Sequence, residues 1–514
     1  YHTDITFQNI VQSGLDDPKV YQLLQKGYTQ NIFQFSSKGM TKFLVSMQPD
    51  KIEDLIAANA LFRPATLDSG STDKYVDCKL GDADPVYLWG TYNAMKNTYG
   101  VLCYQEQLAQ IAREVGKFSL GEGVKLVKLI SKKKVDKILA LRDKFMAGAN
   151  ENGCPKEDAE AIWHMFEVAG GYLFNKSHAT AYAVTAYAGA YLKANYPTAF
   201  YTIALQWAKD DEIPTLMSEM ELCSEAKIVP PDINVSGGTF ITDYETNKIF
   251  WSLSRIKMLG AKATEWIINE RNVRGEFSSI ENFIERIFRY KLKLYKYWDD
   301  PDNPNEATKC PVNARHVRHL ILSGCFDKVE NAQSVIERYA ILEKAAKCLG
   351  FEISEKDIPE DLRNKHYFWS QQQIAISGIG AIDYKRIYDN SEAKPQIKGK
   401  ASWALLKNIQ DPDYDGKRVA ICANIVDIEE KKFKDKKTGE NRVFCKLLLQ
   451  QNNDLVEMVI WNDEWMNVRA TLCKGGSLSS AKNKMLICSA QVKYSDYTGG
   501  NNLQLYKSSI IDIL

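Results

Sequence analysis

Apolar residues recur at three-to-four spacing through most of residues 1–205, the period of helices that bury one face. This pattern predicts helices over Val101–Val115, Lys134–Asn150 and Lys156–Ala169, with Pro155 as a first-turn residue of the third. Ala179–Leu192 is different, being small and aromatic almost all round, which suits a helix packed on several sides. Pro197 begins a further helix over 197–209, and Pro230-Pro231 marks a break. Helical patterns return at Ala263–Arg271, 313–323 and 331–347. Residues 297–311, rich in Asp, Asn and Pro, read as a surface insertion, and 385–400 are weakly patterned. From about 417 the period becomes that of strands: Val419–Ile428, Val443–Gln450, Val456–Trp461, Met485–Val492 and Leu503–Ile511, with a turn at Thr438-Gly439. Five strands with one long loop between the first two predict a small all-β barrel of the oligonucleotide-binding (OB) type.

The chain is too long for one core, so several domains are expected. No run of eighteen apolar residues is present, which argues against a membrane partner or span. The eleven cysteines are scattered without a CxxC pair and read as reduced, mostly buried thiols of a cytoplasmic protein. Residue 1 is Tyr with no signal-peptide pattern after it, which reads as a portion of a longer protein. Net charge is only +1, so a basic surface has to be local. Lys132, Lys133 and Lys134 form one cluster, and Lys431, Lys432, Lys434, Lys436 and Lys437 another.

The densest candidate chemistry lies at Gly171–His178, where a lysine, a hydroxyl and a histidine stand between two apolar helical patterns. Such a cluster suits phosphate. A second set, Asp411, Asp413 and Asp415 before Gly416, alternates like the start of a calcium loop, but Cys422 stands where such a loop needs glutamate. A solvated turn is the better reading there.

The motifs, taken in order, resemble the bacterial replicative DNA polymerase III alpha subunit, a C-family polymerase. They are Phe33-Gln34-Phe35-Ser36-Ser37-Lys38-Gly39-Met40, Asp54 to Pro64, Thr98-Tyr99-Gly100-Val101, Tyr104-Gln105-Glu106-Gln107 and Lys132-Lys133-Lys134. Phe174-Asn175-Lys176-Ser177-His178-Ala179, Tyr191 to Pro197 and Pro230-Pro231-Asp232-Ile233-Asn234 follow. The resemblance implies fingers over 1–205, a helical domain with a degenerate helix-hairpin-helix over 206–390, a linker over 391–416 and an OB-fold over 417–514. It also implies template-directed DNA synthesis with primed DNA and deoxynucleoside triphosphates as partners, in a bacterial cell or a virus-infected bacterial host. The family's metal-binding aspartates lie on a palm that precedes this region, and their motifs are not found here. Two Mg2+ ions are therefore expected on a palm-bearing segment or partner polypeptide, with no metal and no catalytic residue in this chain, which alone is expected to be inactive. The alternative is a non-catalytic DNA-binding or replisome assembly module.

Within that resemblance, Lys176 and His178 are candidates to hold the triphosphate, with Asn175 and Ser177 in support. The alternatives are an ordinary surface lysine and a packing histidine. Arg63 is either a phosphate clamp or part of an intramolecular salt bridge. Gln105 and Glu106 either orient neighbours or are structural. The family's arginine pair before the triple lysine appears here as Val127 and Lys128, and Ser36 replaces a usual glutamate. Lys128 stays a phosphate candidate, and Lys132, Lys133, Lys134 and Lys193 are candidates for DNA. In Ser252 to Gly260 only Gly260 survives of the glycines that usually expose backbone N–H groups to DNA phosphates, leaving Lys257 and Lys262 as helpers. Gly378-Ile379-Gly380-Ala381 is a second, weaker turn. Phe433, Lys434, Phe444, Trp461, Tyr494 and Tyr497 are stacking and backbone candidates for single-stranded template, with part of these aromatics needed for the core. A sliding clamp is a further family partner, yet Gln371–Ile374 matches its binding motif poorly. The departures fit a divergent polymerase, including a virus-encoded one.

Overall fold

The computed structural model describes residues 5–131, 135–169, 172–288, 310–355, 357–380, 382, 384–389, 391, 393–397, 399–434, 439–452, 454–473, 476–482, 484–495, 500–505 and 511–513. They form two compact units, Tyr1–Tyr201 and Thr202–Leu514.

The described part of the first unit is built from helices around two cores. One core joins Leu24, Phe35, Leu44, Leu55, Leu61 and Tyr75 to the small residues Ala179, Ala183, Ala186 and Ala190. Those alanines let the helix Lys176–Asn195 lie close against Ile52–Leu61, as an all-round small surface requires. The other core joins helices Gln105–Glu114, Leu120–Ser131, Val135–Glu151 and Lys156–Ala169 through Leu108, Leu126, Phe145, Trp163 and Phe166. The helix expected from Val101 begins at Gln105. Its first residues are used instead in an isolated parallel bridge between Tyr104 and Phe174.

A buried ionic network ties the first core together. Asp54 is fully buried; it accepts from the Tyr75 hydroxyl at 2.9 Å and from the Asp50 backbone N–H at 3.0 Å, and pairs with Lys79 at 2.9 Å. Lys79 also meets Asp50 at 3.0 Å.

After helix Ile213–Cys223 the second unit has a three-stranded sheet of β1 (Lys227–Val229), β2 (Ile241–Asp243) and β3 (Lys248–Phe250) in the order β1-β3-β2. Helices Ala261–Arg274, Ile280–Phe288, Ala314–Leu322, Arg338–Leu349 and His366–Ser377 then share one core that includes Ile267, Phe283, Leu320, Leu342 and Trp369. The helix predicted from 331 starts at Arg338, because Asn331 takes a left-handed conformation and Ser334 caps a short 3-10 turn. Most of the 297–311 insertion lies outside the described residues.

The C-terminal strands are β4 (Ser402–Trp403), β5 (Arg418–Lys434), β6 (Asn441–Gln451), β7 (Asp454–Ile460), β8 (Met485–Ser495), β9 (Gly500–Gln504) and β10 (Ile511–Ile513). They form one sheet in the order β10-β8-β9-β7-β6-β5-β4. β5 is 17 residues long and irregular between Ile425 and Asp427. Its first half pairs with β8 and its second half with β6. β4 joins β5, and β7 joins β9, in parallel. This arrangement corrects the five-stranded all-β OB barrel expected over 417–514. A seven-stranded sheet stands there, with β4 and β10 each paired on one side among the described residues. It draws β4 from before residue 417 and carries a 12-residue helix, Asn462–Cys473, between β7 and β8. The single strand expected over Leu503–Ile511 is divided between β9 and β10. Alternation identifies a half-buried strand but says nothing about which of its edges is paired, so these additions left no trace in the period.

Candidate nucleotide and nucleic-acid interface

Helix Lys176–Asn195 begins where Asn175, in an extended conformation, turns its side-chain oxygen onto the His178 backbone N–H at 2.9 Å. The Ser177 hydroxyl donates to the same oxygen. A helix start leaves its first N–H groups without partners and carries a partial positive charge, so it attracts anions. Here Glu106 supplies one. Its carboxylate accepts from the Lys176 backbone N–H and from the Asn175 amide, both at 2.9 Å. Glu106 reaches this position because the Tyr104–Phe174 bridge sets the two helix starts side by side. Gln105 N–H donates to the Phe174 carbonyl and Phe174 N–H to the Cys103 carbonyl, each at 2.9 Å. Gln107 closes the corner by accepting from the Cys103 and Tyr104 N–H groups.

The side chains around this corner are aromatic and cationic. The His178 ring lies 4.1 Å from Tyr182 and 5.5 Å from Phe174, centroid to centroid, and Phe33 continues the row beyond Tyr182 at 5.0 Å. His178 is nonetheless solvent-exposed, so stacking orients its ring without burying it. The Lys176 ammonium stands 5.6 Å from the Tyr104 ring centre. Arg63 lies over Phe174 at 4.4 Å and donates to the carbonyls of Ala60 and Tyr172. Burial lowers its guanidinium below the usual value, and no carboxylate pairs with it among the described residues. Arg63 thus braces Phe174 from behind, and the salt bridge considered from sequence is not among its contacts with the described residues. The i,i+4 spacing of Phe174, His178 and Tyr182 was the one available signal for this aromatic row.

Beside the corner is a cleft of about 350 Å³ lined by Gln105, Glu106, Gln110, Arg113, Val127 and Asn175, among others. Val127 makes part of its apolar wall. Lys128 is exposed on the same helix, whereas Lys132, Lys133 and Lys134 lie outside the described residues. Lys193 is 1 % exposed and does not reach the surface. Its ammonium donates to the carbonyls of Tyr28 and Gln30 and lies over the rings of Phe200 and Tyr201. The expectation that Lys193 contacts DNA is corrected accordingly: satisfied cations next to aromatic faces can be buried, and sequence gives no warning of it.

In the second unit, Lys257 and Lys262 are exposed on either side of the turn that leads into helix Ala261–Arg274. Lys257 is fixed at its backbone, its N–H donating to Ile376 at 2.8 Å and its carbonyl meeting His319 Nδ1 at 2.6 Å. Met258, next in the turn, holds a φ of +73°. Farther on, Phe433, Phe444 and Trp461 form a cluster with centroids 5.3–5.8 Å apart on the sheet. Trp461 is well exposed, and Lys434 is exposed beside Phe433. Tyr494 is exposed on β8, while Tyr497 lies outside the described residues. Gln373, from the weak clamp-like segment, is buried and accepts from Arg338.

Asp411, Asp413 and Asp415 sit in a 3-10 turn in which Asp411 accepts from Asp413 N–H and Asp415 from Tyr494 N–H. Among the described residues no group of three His, Cys, Asp or Glu side chains could hold a metal ion. All eleven cysteines are free thiols. No described helix is long and apolar enough to cross a membrane.

Comparison with known proteins matches residues 1–153 to the bacterial DNA polymerase III alpha subunit finger domain and residues 225–296 to a helix-hairpin-helix motif. The DNA polymerase III subunit alpha of Aquifex aeolicus is 35% identical over 340 residues, covering 66% of this chain and 27% of that protein. The Escherichia coli K12 subunit is 28% identical over 528 residues, covering 98% of this chain and 42% of that protein. The Thermus aquaticus subunit is 36% identical over 285 residues, covering 53% and 23% respectively. The chain therefore spans less than half the length of these relatives. Its aligned motifs, from the finger region through the helix-hairpin-helix region, make the chain a homologue of the bacterial DNA polymerase III alpha subunits.

Proposed function

We propose that this chain is the finger and DNA-binding portion of a template-directed DNA polymerase. In this reading the corner at Asn175–His178 grips the incoming deoxynucleoside triphosphate, and the second unit holds primed DNA. The observation that carries it is the helix start at Asn175–His178, with a half-buried lysine and an exposed, oriented histidine in its first turn, in a chain homologous to polymerase fingers. Lys176 and His178 would contact phosphate, with Asn175 and Ser177 fixing the turn and Arg63 bracing Phe174 beneath. Lys128 and the Lys132–Lys134 cluster would add positive charge. Phe433, Lys434, Phe444, Trp461, Tyr494 and Tyr497 would follow single-stranded template by stacking and charge. The residues described here do not fit a catalytic metal pair. The two Mg2+ ions and their aspartates would belong to a palm-bearing segment or partner outside these 514 residues, and a sliding clamp would be a further partner.

The test is primer extension by this chain supplied with a matched palm. Lys176→Ala is expected to lower kcat/KM about tenfold to a hundredfold, the loss of one charge-assisted contact of about 1.5–3 kcal/mol. An unchanged rate would remove Lys176 from the phosphate site. Robust Mg2+-dependent extension by the chain alone would overturn the division of labour.

A second reading, a DNA-binding or assembly module without chemistry, is favoured by Val127. Where the family resemblance implies an arginine, this chain places an apolar side chain in the wall of the cleft beside Glu106. Absence of extension with every matched palm, alongside retained DNA binding, would favour this second reading.

A further inference from the structure

The turn before helix Ala261–Arg274 holds a non-glycine residue in a conformation that ordinarily selects glycine. Met258 has a φ of +73°, in the region where a Cβ crowds the following carbonyl. The backbone on either side leaves it little choice. Lys257 is pinned through its N–H by Ile376 and through its carbonyl by His319, and Leu259 N–H returns to the Ile256 carbonyl. Strain of this kind persists where the surrounding structure over-determines it, and it concentrates at working sites.

What the strain achieves is presentation. The Met258 side chain is 55 % exposed, although Ile256 and Leu259 around it are buried in the helical core. Its neighbours are cationic. Lys257 and Lys262 are exposed on either side, and Arg315 is exposed on helix Ala314–Leu322, the helix that carries His319. Burial first, joined by the positive charges of Arg318, Arg315 and Lys257, pushes His319 below its usual value against the raising effect of its hydrogen bond to the Lys257 backbone. Of these cations Arg318 is paired, with Asp357. An exposed, flexible apolar tip with lysines before and after it in the chain matches the chemistry of side chains that wedge between base steps from the minor groove while neighbouring lysines hold phosphates.

We infer that Met258 is a minor-groove wedge, inserted partway between base pairs of duplex DNA held by Lys257, Lys262 and Arg315. The inference rests on the DNA-binding reading above and adds to it a deforming contact. A glycine at this position could bind phosphate through its backbone but could not unstack a base step.

The experiment measures binding of the full chain to a duplex carrying 2-aminopurine, by anisotropy and by the fluorescence of the reporter base. Met258→Gly is expected to fold at least as stably as the parent, to bind about tenfold more weakly, and to lose the rise in 2-aminopurine fluorescence that the parent produces. Met258→Leu, which keeps an apolar tip, should behave as the parent does. A Met258→Gly protein equal to the parent in both readouts would overturn the wedge alone. No duplex binding by the parent chain would overturn the DNA-binding reading itself.

Discussion

Asp54→Ala will destabilise the first unit by about 3–5 kcal/mol, enough to unfold a marginal domain. Asp54 is fully buried, and three donors converge on its carboxylate: Tyr75, the Asp50 backbone and Lys79. Truncation leaves the Tyr75 hydroxyl and the Asp50 N–H without an acceptor. It also leaves Lys79, whose side chain is only 4% exposed, with the largely solvated Asp50 as its remaining carboxylate. Tyr75 is itself raised far above its usual value, first by burial and then by Asp54, so ionisation of its hydroxyl offers no escape. Urea denaturation, followed by circular dichroism, measures the loss. A loss below about 1 kcal/mol would mean that water or a shift of Asp50 replaces the carboxylate.

The same network fixes a direction with pH. Burial alone would push the Lys79 ammonium down, but its bonds to Asp54 and Asp50 outweigh burial and hold it above the usual lysine value. A folded-state value raised in this way contributes stability that is fully present below about pH 10.5 and lost as pH rises through the folded value. The stability gap between the parent and Lys79→Met should therefore be constant near neutral pH and close in alkali.

Arg338→Ala will cost the second unit a comparable amount, about 3–5 kcal/mol. Arg338 is 2 % exposed and grips Asp327 with two nitrogens, while its Nη1 donates to the Leu322 carbonyl at 3.2 Å and to Gln373 at 3.0 Å. It thus ties its own helix to the end of helix Ala314–Leu322, to helix His366–Ser377 and to the turn that holds Asp327, and each of these three partners would lose a donor after truncation. Gly324 makes room for the guanidinium: a Cβ there would lie 2.6 Å from Nη2. Arg338→Lys should recover only part of the loss, since an ammonium cannot reproduce the planar fork. Denaturant unfolding of both variants, read by tryptophan fluorescence, distinguishes the two outcomes, and equal stability of Arg338→Ala and the parent would refute the role.

These two networks also show where sequence reading stops. The helix that follows Asn175 was visible in its run of small and aromatic residues, and the one at Pro197 because a proline acts within a few residues. Glu106 could be noticed but not placed, since its bonds to Asn175 and Lys176 span about seventy positions and depend on the Tyr104–Phe174 bridge. Lys193 read as a surface charge because charge is ordinarily exposed, and only three-dimensional packing reveals its partners and those of the buried Asp54. In the C-terminal region the strand period of β5 to β8 was legible. The parallel addition of β4, the helix Asn462–Cys473 and the split between β9 and β10 were not, because edge pairing has no local signature. Met258 illustrates the opposite case: the missing glycine was visible, but the turn formed regardless.

The long strand β5 has a consequence for how the chain comes into being. Its first residues lie between β4 on one side and β8 on the other, and in β8 Arg418 meets Gln491 and Asn424 meets Met485. A ribosome adds on the order of ten residues each second, so the edge of β5 that pairs with β8 keeps its backbone N–H and C=O groups without that partner for several seconds while the intervening chain is made. The hairpin with β6 can form meanwhile, because its strands are adjacent in sequence. The β6-paired half of β5 is thus able to pair before the β8-paired half, and the change of partner falls at Asn424, next to the irregularity between Ile425 and Asp427.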